Sequence, residues 1–117
     1  KIALPFIEKK KMLFKSWKVN EKLYYSKYKF YSPSKNSLTL EPNIIITPAL
    51  AIDSNGNRIG YGSGFYDSYH NLNKSKFYIG YIYEKQIFST LPFTKHDLKL
   101  NAIVTDSFAK KINLNAQ

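Results

Sequence analysis

The sequence predicts an α/β fold, a three-layer arrangement with a mixed, mainly parallel central sheet and flanking helices. Three observations predict it. Ile44-Ile45-Ile46-Thr47 is a β-branched run bounded by prolines, the pattern of a buried central strand. Strand-like apolar runs alternate with helix-like stretches along the chain, as in parallel pairs joined by crossovers. A glycine-rich run, Gly60-Tyr61-Gly62-Ser63-Gly64, then leads into residues that can open a helix.

Taken in order, Ile2 to Leu4 reads as a short strand ending at Pro5. Lys10 to Trp17 alternates loosely and pairs as a second strand. Asn20 to Lys27 is helix-like, with Asn20 as N-cap and Leu23 and Tyr24 on one face. Tyr31 to Glu41 is rich in Ser, Pro, Asn and Lys and reads as a loop. After the Ile44–Thr47 strand, Asn55-Gly56 marks a hairpin tip. Phe65 to Leu72 reads as a helix, Phe77 to Tyr83 as a strand with Gly80 inside it, and Glu84 to Leu91 as a short helix or turn. Ala102 to Thr105 is the last strand. With no repeat and no linker, residues 1–112 read as one domain, followed by a polar tail at 113–117.

Composition narrows the function. No cysteine is present, which excludes disulfides and thiolate metal sites. His70 and His96 are the only histidines, too few for a histidine cage. No apolar run reaches the roughly 18–20 residues that span a bilayer, and the start has no signal-peptide pattern. The expected location is the cytoplasm. The formal net charge of +10 raises nucleic acid as a partner. The lysines are scattered, however, and the Lys, Ile, Asn, Tyr and Phe content fits a compositional bias. A solvated lysine surface is the expected reading; a basic site for an anionic small molecule fits the same charge.

The run Asn57-Arg58-Ile59-Gly60-Tyr61-Gly62-Ser63-Gly64-Phe65-Tyr66-Asp67 carries the most chemistry. Alternate glycines let backbone approach a ligand closely. Successive N–H groups in such a turn can converge on an anion, and a helix N-terminus adds a favourable field. Arg58, the only arginine of the chain, stands before the glycines and Asp67 after them. That pair of charges suits a triphosphate and its magnesium. The run is neither a Walker loop nor a Gly-x-Gly-x-x-Gly fingerprint. A strand-to-helix turn without a ligand is the alternative reading of the triplet alone. Asp53 reads as a turn-forming carboxylate before Asn55-Gly56.

Several stretches in order resemble the 5-formyltetrahydrofolate cyclo-ligase family, also called 5,10-methenyltetrahydrofolate synthetase. They are Ala3-Leu4-Pro5, Met12-Leu13-Phe14 with Trp17, Pro42 through Asp53, Gly56 through Asp67, Ile79-Gly80-Tyr81 with Gln86, Leu91-Pro92 leading to His96-Asp97, and Ala102 through Asp106. The resemblance implies ATP- and magnesium-dependent conversion of 5-formyltetrahydrofolate to 5,10-methenyltetrahydrofolate, with release of ADP and phosphate. It implies catalytic roles for Arg58 and Tyr66. ATP would meet Arg58, Gly60, Tyr61, Gly62, Ser63, Gly64, Phe65 and Tyr66. The folate would meet Met12 and Trp17 together with Gly62 through Tyr66. Asp67 and Asp97 would hold Mg2+.

The chain departs from the family pattern at Ser63, Phe65, Ser68, Ser32-Pro33 and Ile52. Family members also carry a further stretch before this start, with a basic helix for ATP and a glutamate for folate. The expectation is therefore an N-terminally incomplete domain, prone to self-association or completed by the absent segment. An inactive C-terminal fragment, and a basic nucleic-acid-binding module with tyrosines interleaved among lysines, are the alternatives.

Overall fold

The computed structural model describes residues 1–112, so the polar tail expected at 113–117 lies outside the described residues. The chain forms two compact units, Lys1–Pro42 and Asn43–Gln117.

The first unit is built on an antiparallel hairpin of β1 (Ala3–Glu8) and β2 (Lys11–Ser16). The turn is Lys9-Lys10, and both residues have positive φ (51° and 64°). Two consecutive left-handed residues match the twist of the flanking strands, but lysine hides the signal that Asn-Gly would give. The expected first strand, Ile2 to Leu4, therefore runs on through Pro5 to Glu8. Proline is tolerated there because β1 is an edge strand. A short β5 (Thr39–Leu40) joins β2 on its other side. Lys15 is buried, and its ammonium donates to the carbonyls of Lys35 and Ser37, each at 3.1 Å. This tether pins the Ser-Pro-Asn stretch that composition alone marks as loop.

Two expectations fail in this unit. Asn20 to Lys27 is not a helix. Asn20 takes φ 80°, and Tyr24–Tyr25 (β3) pairs with Tyr31–Ser32 (β4) in an antiparallel ribbon. Adjacent tyrosines favour strand, and cross-strand packing of Tyr25 on Tyr31, with ring centroids 5.0 Å apart, outweighs a weak helical pattern. The loop read over Tyr31 to Glu41 accordingly contains β4 and β5.

The second unit holds a four-stranded sheet in the order β12 (Ala109–Lys111), β11 (Ala102–Val104), β9 (Phe77–Tyr81), β6 (Ile44–Thr47). The β6–β9 and β9–β11 pairs are parallel and β11–β12 is antiparallel, so the sheet is mixed and mainly parallel. Ile44–Thr47 is its edge, not its centre. Ile45 and Thr47 are buried whereas Ile44 and Ile46 are exposed. A smaller sheet joins β7 (Ala51–Asp53), β8 (Arg58–Ile59) and β10 (Ile87–Phe88). Among the described residues there is one α-helix, α1 (Phe65–Leu72), and a 3-10 turn at Glu84–Gln86. The fold class stands as α/β, with more sheet and fewer helices than the alternation suggested. No helix among the described residues is long and apolar enough to cross a membrane.

The core of this unit gathers Ile45, Ile52, Tyr78, Ile82, Leu98, Leu100 and Ile103. Gly80 sits where β9 passes under the Ile52 and Leu100 methyl groups, and a Cβ there would collide with both. Tyr78 is fully buried and donates to the Asn73 carbonyl at 2.8 Å. Burial, with Tyr69 nearby, pushes its hydroxyl up to about 12. It therefore stays neutral at every physiological pH.

The β7–β8 hairpin turns on Asp53. One carboxylate oxygen accepts from the N–H of Asn55 (2.9 Å) and of Asn57 (3.0 Å); the other accepts from the Asn57 side chain and the Leu91 N–H, both at 2.9 Å. Burial pushes the Asp53 carboxyl up, but these hydrogen bonds outweigh it and hold the group below the ordinary carboxylate value. Its stabilisation is therefore complete above the unfolded value of about 3.9 and disappears as pH falls through the lower folded value. Asp53→Asn should cost about 2–3 kcal/mol at neutral pH, because two donors then face an amide nitrogen. Urea unfolding followed from pH 7 to pH 3 should show a smaller loss of stability on acidification in the variant than in the parent chain.

Candidate functional site

The second unit carries a cleft of about 320 Å³. Its walls are Pro48, the whole run from Arg58 to Asp67, Pro92 and Asp97. The cleft lies beyond the carboxyl end of β6, where α/β sheets place ligands.

Glycine makes the wall. Gly62 and Gly64 have φ of 101° and 73°, a region that residues with a Cβ enter at a cost. A Cβ built on either would meet nothing within 4 Å, so both face open space. Gly64 is also the N-cap of α1 and offers no side-chain cap. The first-turn N–H groups of α1 thus lack the side-chain acceptor that helix starts commonly have, and an anion can take its place.

Arg58 sits at the base. Its side chain is only 4% exposed. One terminal nitrogen donates to the Pro48 carbonyl at 2.8 Å, and the other to Asp67 Oδ1 at 3.3 Å. The Tyr66 ring lies 5.8 Å from the guanidinium carbon. The Arg58 Nε is buried without a hydrogen-bond partner, which is costly for a cationic donor unless something fills the gap. Gly60 lies so near that a Cβ there would come within 2.8 Å of the Arg58 Nη1. Glycine at position 60 is therefore what admits the guanidinium.

Asp67 stands in the first turn of α1. Its Oδ1 also accepts from the Leu98 N–H at 2.8 Å, so both contacts fall on one oxygen. Asp97 closes a turn in which its own carboxylate accepts from the Thr94 N–H at 2.9 Å. Asn71 binds that turn to the helix by donating to the carbonyls of Asp67 (2.9 Å) and His96 (2.8 Å). Two carboxylates therefore line one cleft, with Asn71 tying the turn that carries Asp97 to the helix that carries Asp67. Burial raises the Tyr66 hydroxyl above the usual tyrosine value, against the opposing pull of Arg58. Burial, helped by Lys74 and Arg58 and opposed by Asp67, lowers His70. His70 packs against the Tyr78 ring, with ring centroids 4.9 Å apart.

The residues singled out from sequence fall in two places. Arg58, Gly60, Tyr61, Gly62, Ser63, Gly64, Phe65, Tyr66, Asp67 and Asp97 share this cleft. Met12 and Trp17 belong to the first unit, where Met12 is buried in β2 and the Trp17 indole donates to the Glu21 carbonyl at 3.0 Å. Sequence reasoning missed Pro48, Asn71 and the Leu98 N–H. Only Pro48 had a signal, the proline that ends the β-branched run.

The 5-formyltetrahydrofolate cyclo-ligase family model matches residues 1–106. The 5-formyltetrahydrofolate cyclo-ligase of Escherichia coli K12 is 31% identical over 104 residues, covering 82% of this chain and 56% of the relative. The solved 5,10-methenyltetrahydrofolate synthetase of Aquifex aeolicus superposes with a TM-score of 0.78 at 24% identity, covering 94% of this chain and 57% of the other. That of Mycoplasma pneumoniae gives 0.59 at 22%, covering 89% and 55%. The chain thus spans little more than half the length of these relatives.

Arg58 holds Pro48, α1 and itself in register, so Arg58→Met should lower stability by about 2 kcal/mol, with Asp67 half-solvated and able to recover water. Arg58→Lys should recover part of that, since an ammonium reaches one acceptor and not both. Thermal unfolding by circular dichroism checks the ranking.

Proposed function

Because the chain belongs to the 5-formyltetrahydrofolate cyclo-ligase family, we propose that it closes 5-formyltetrahydrofolate to 5,10-methenyltetrahydrofolate at the expense of ATP, with Mg2+ as cofactor. One observation carries the reading: an uncapped helix N-terminus, a buried arginine and two carboxylates converge on one glycine-walled cleft.

The chemistry asks for such a place. A formamide oxygen is a poor leaving group. Transfer of the γ-phosphoryl group to that oxygen releases ADP and leaves an iminium phosphate on N5. The folate N10 attacks the same carbon and gives up its proton to phosphate or solvent, the C–O bond breaks, and phosphate departs with the oxygen. No nucleophilic side chain is needed. The protein has to position two substrates and stabilise moving negative charge.

In this reading the N–H groups from Gly62 to Tyr66 cradle phosphate oxygens, and Arg58 exchanges its 3.3 Å contact with Asp67 for one of them. Asp67 and Asp97 would hold Mg2+. Among the described residues no group of three or more His, Asp or Glu gathers to cage a metal, yet magnesium is commonly held by one or two carboxylates plus substrate phosphates, and this pair fits that demand. When bound, the ion neutralises charge on the β- and γ-phosphates. The aromatic rings of Phe65 and Tyr66 wall the folate, and the neutral Tyr66 hydroxyl can donate to the formyl or phosphoryl oxygen.

Incubation of the chain with 5-formyltetrahydrofolate, ATP and magnesium should raise the absorbance of 5,10-methenyltetrahydrofolate. Asp97→Asn, a change on a half-exposed turn, should slow the rise at least tenfold. A folded chain that gives no rise, or a rise that does not need ATP, rejects the proposal.

A further inference from the structure

Asp97 reaches the cleft from an exposed turn over residues 94–97. That turn closes on itself. The Thr94 N–H donates to the Asp97 carboxylate at 2.9 Å, and the Asp97 N–H donates to the Thr94 carbonyl at 3.2 Å. Bonds of this kind fix the local backbone. They do not fix where the turn stands relative to α1, which carries Asp67.

Two further hydrogen bonds do, one on each side of Asp97. The peptide that enters Asp97 offers the His96 carbonyl, which accepts from Asn71 Nδ2 at 2.8 Å. The peptide that leaves it offers the Leu98 N–H, which donates to Asp67 Oδ1 at 2.8 Å. Both partners belong to α1. Asp67 and Asn71 stand one turn apart on the same helix face. The Asn71 nitrogen also donates to the Asp67 carbonyl at 2.9 Å, which occupies its second hydrogen and holds the side chain in place. Helix α1 thus grips both peptide groups that flank Asp97. Two grips set position and orientation, whereas one leaves a pivot.

The grip bears on cation binding. Asp67 Oδ1 already takes the Arg58 and Leu98 contacts, so Oδ2 can face an ion without giving up either. Magnesium demands near-ideal octahedral geometry and tolerates misplaced ligands poorly. Two carboxylates on independently moving segments would meet that demand only part of the time. We propose that Asn71 is a positioning residue: its hold on the His96 carbonyl sets the Asp97 carboxylate against Asp67, and with it how tightly the pair takes a divalent cation. This role rests on the magnesium reading above and adds to it a residue that binds neither the ion nor the substrates.

Mn2+ serves as the probe for the Mg2+ site, with its free signal followed by electron paramagnetic resonance as the 117-residue chain is titrated in. Asn71→Ser keeps a hydroxyl that can donate to the Asp67 carbonyl one turn back, but it is too short to reach His96. Asn71→Leu removes both bonds. The position is half-buried, and circular dichroism establishes that each variant folds. Either folded variant is expected to bind Mn2+ at least fivefold more weakly than the parent chain. Asn73→Ala is the control. It removes a similar bond, from Asn73 Nδ2 to the Tyr69 carbonyl at 2.9 Å, and leaves the Asp97 turn alone, so it should keep the parent affinity. Parent affinity in a folded Asn71 variant, beside a loss in Asp97→Asn, overturns the role of Asn71 and leaves the magnesium reading standing. Equal losses in Asn73→Ala and Asn71→Ser also overturn it, because general loosening of the helix end then explains both. Unchanged affinity in both Asp67→Asn and Asp97→Asn overturns it together with the magnesium reading.

Discussion

The Arg58 guanidinium is the constraint on which the second unit turns. It is buried, and it spans from the Pro48 carbonyl just past β6 to the Asp67 carboxylate on α1. Asp67 in turn accepts from the Leu98 N–H. The end of β6, the start of α1 and, through Asp67, the distant Leu98 segment are thus tied around one cation. The surrounding residues follow from its size. Gly60 leaves space for it, Tyr66 packs its ring beside it, and the run from Gly62 to Gly64 arcs in front of it. A buried cation with one nitrogen unpartnered carries a desolvation cost that its contacts to Pro48 and Asp67 offset only in part. It suits the proposed role of the cleft in holding the phosphates of ATP.

Much of this was legible in the sequence because local chemistry decides it. Asn55-Gly56 fixes a hairpin tip, and the Asp53 hydrogen bonds complete it. Helix α1 has the predicted bounds, starting after a left-handed glycine. The glycine run and its flanking Arg58 and Asp67 share one cleft as their spacing suggests. What sequence could not give depends on neighbours. Lys9-Lys10 takes the left-handed turn that glycine or asparagine usually signals. Tyr24-Tyr25 pairs across to Tyr31 instead of coiling into a helix. The Ile44–Thr47 run looks central because it is apolar on both faces, yet it is an edge whose outer side is open. The Asp97 turn and the Asn71 brace come from a distant loop whose position no local pattern encodes. The cleft is assembled wholly from the second unit.

The central claim is that the glycine-walled cleft takes the phosphates of MgATP. Phosphorus NMR of MgATP titrated with the chain tests it most directly, with Gly62→Val as the comparison, since a branched side chain at φ 101° strains the loop and enters the open space in front of it. The account predicts shifted β- and γ-phosphate resonances with the parent chain and none with the folded variant. Equal shifts with both, or none with either, would contradict it.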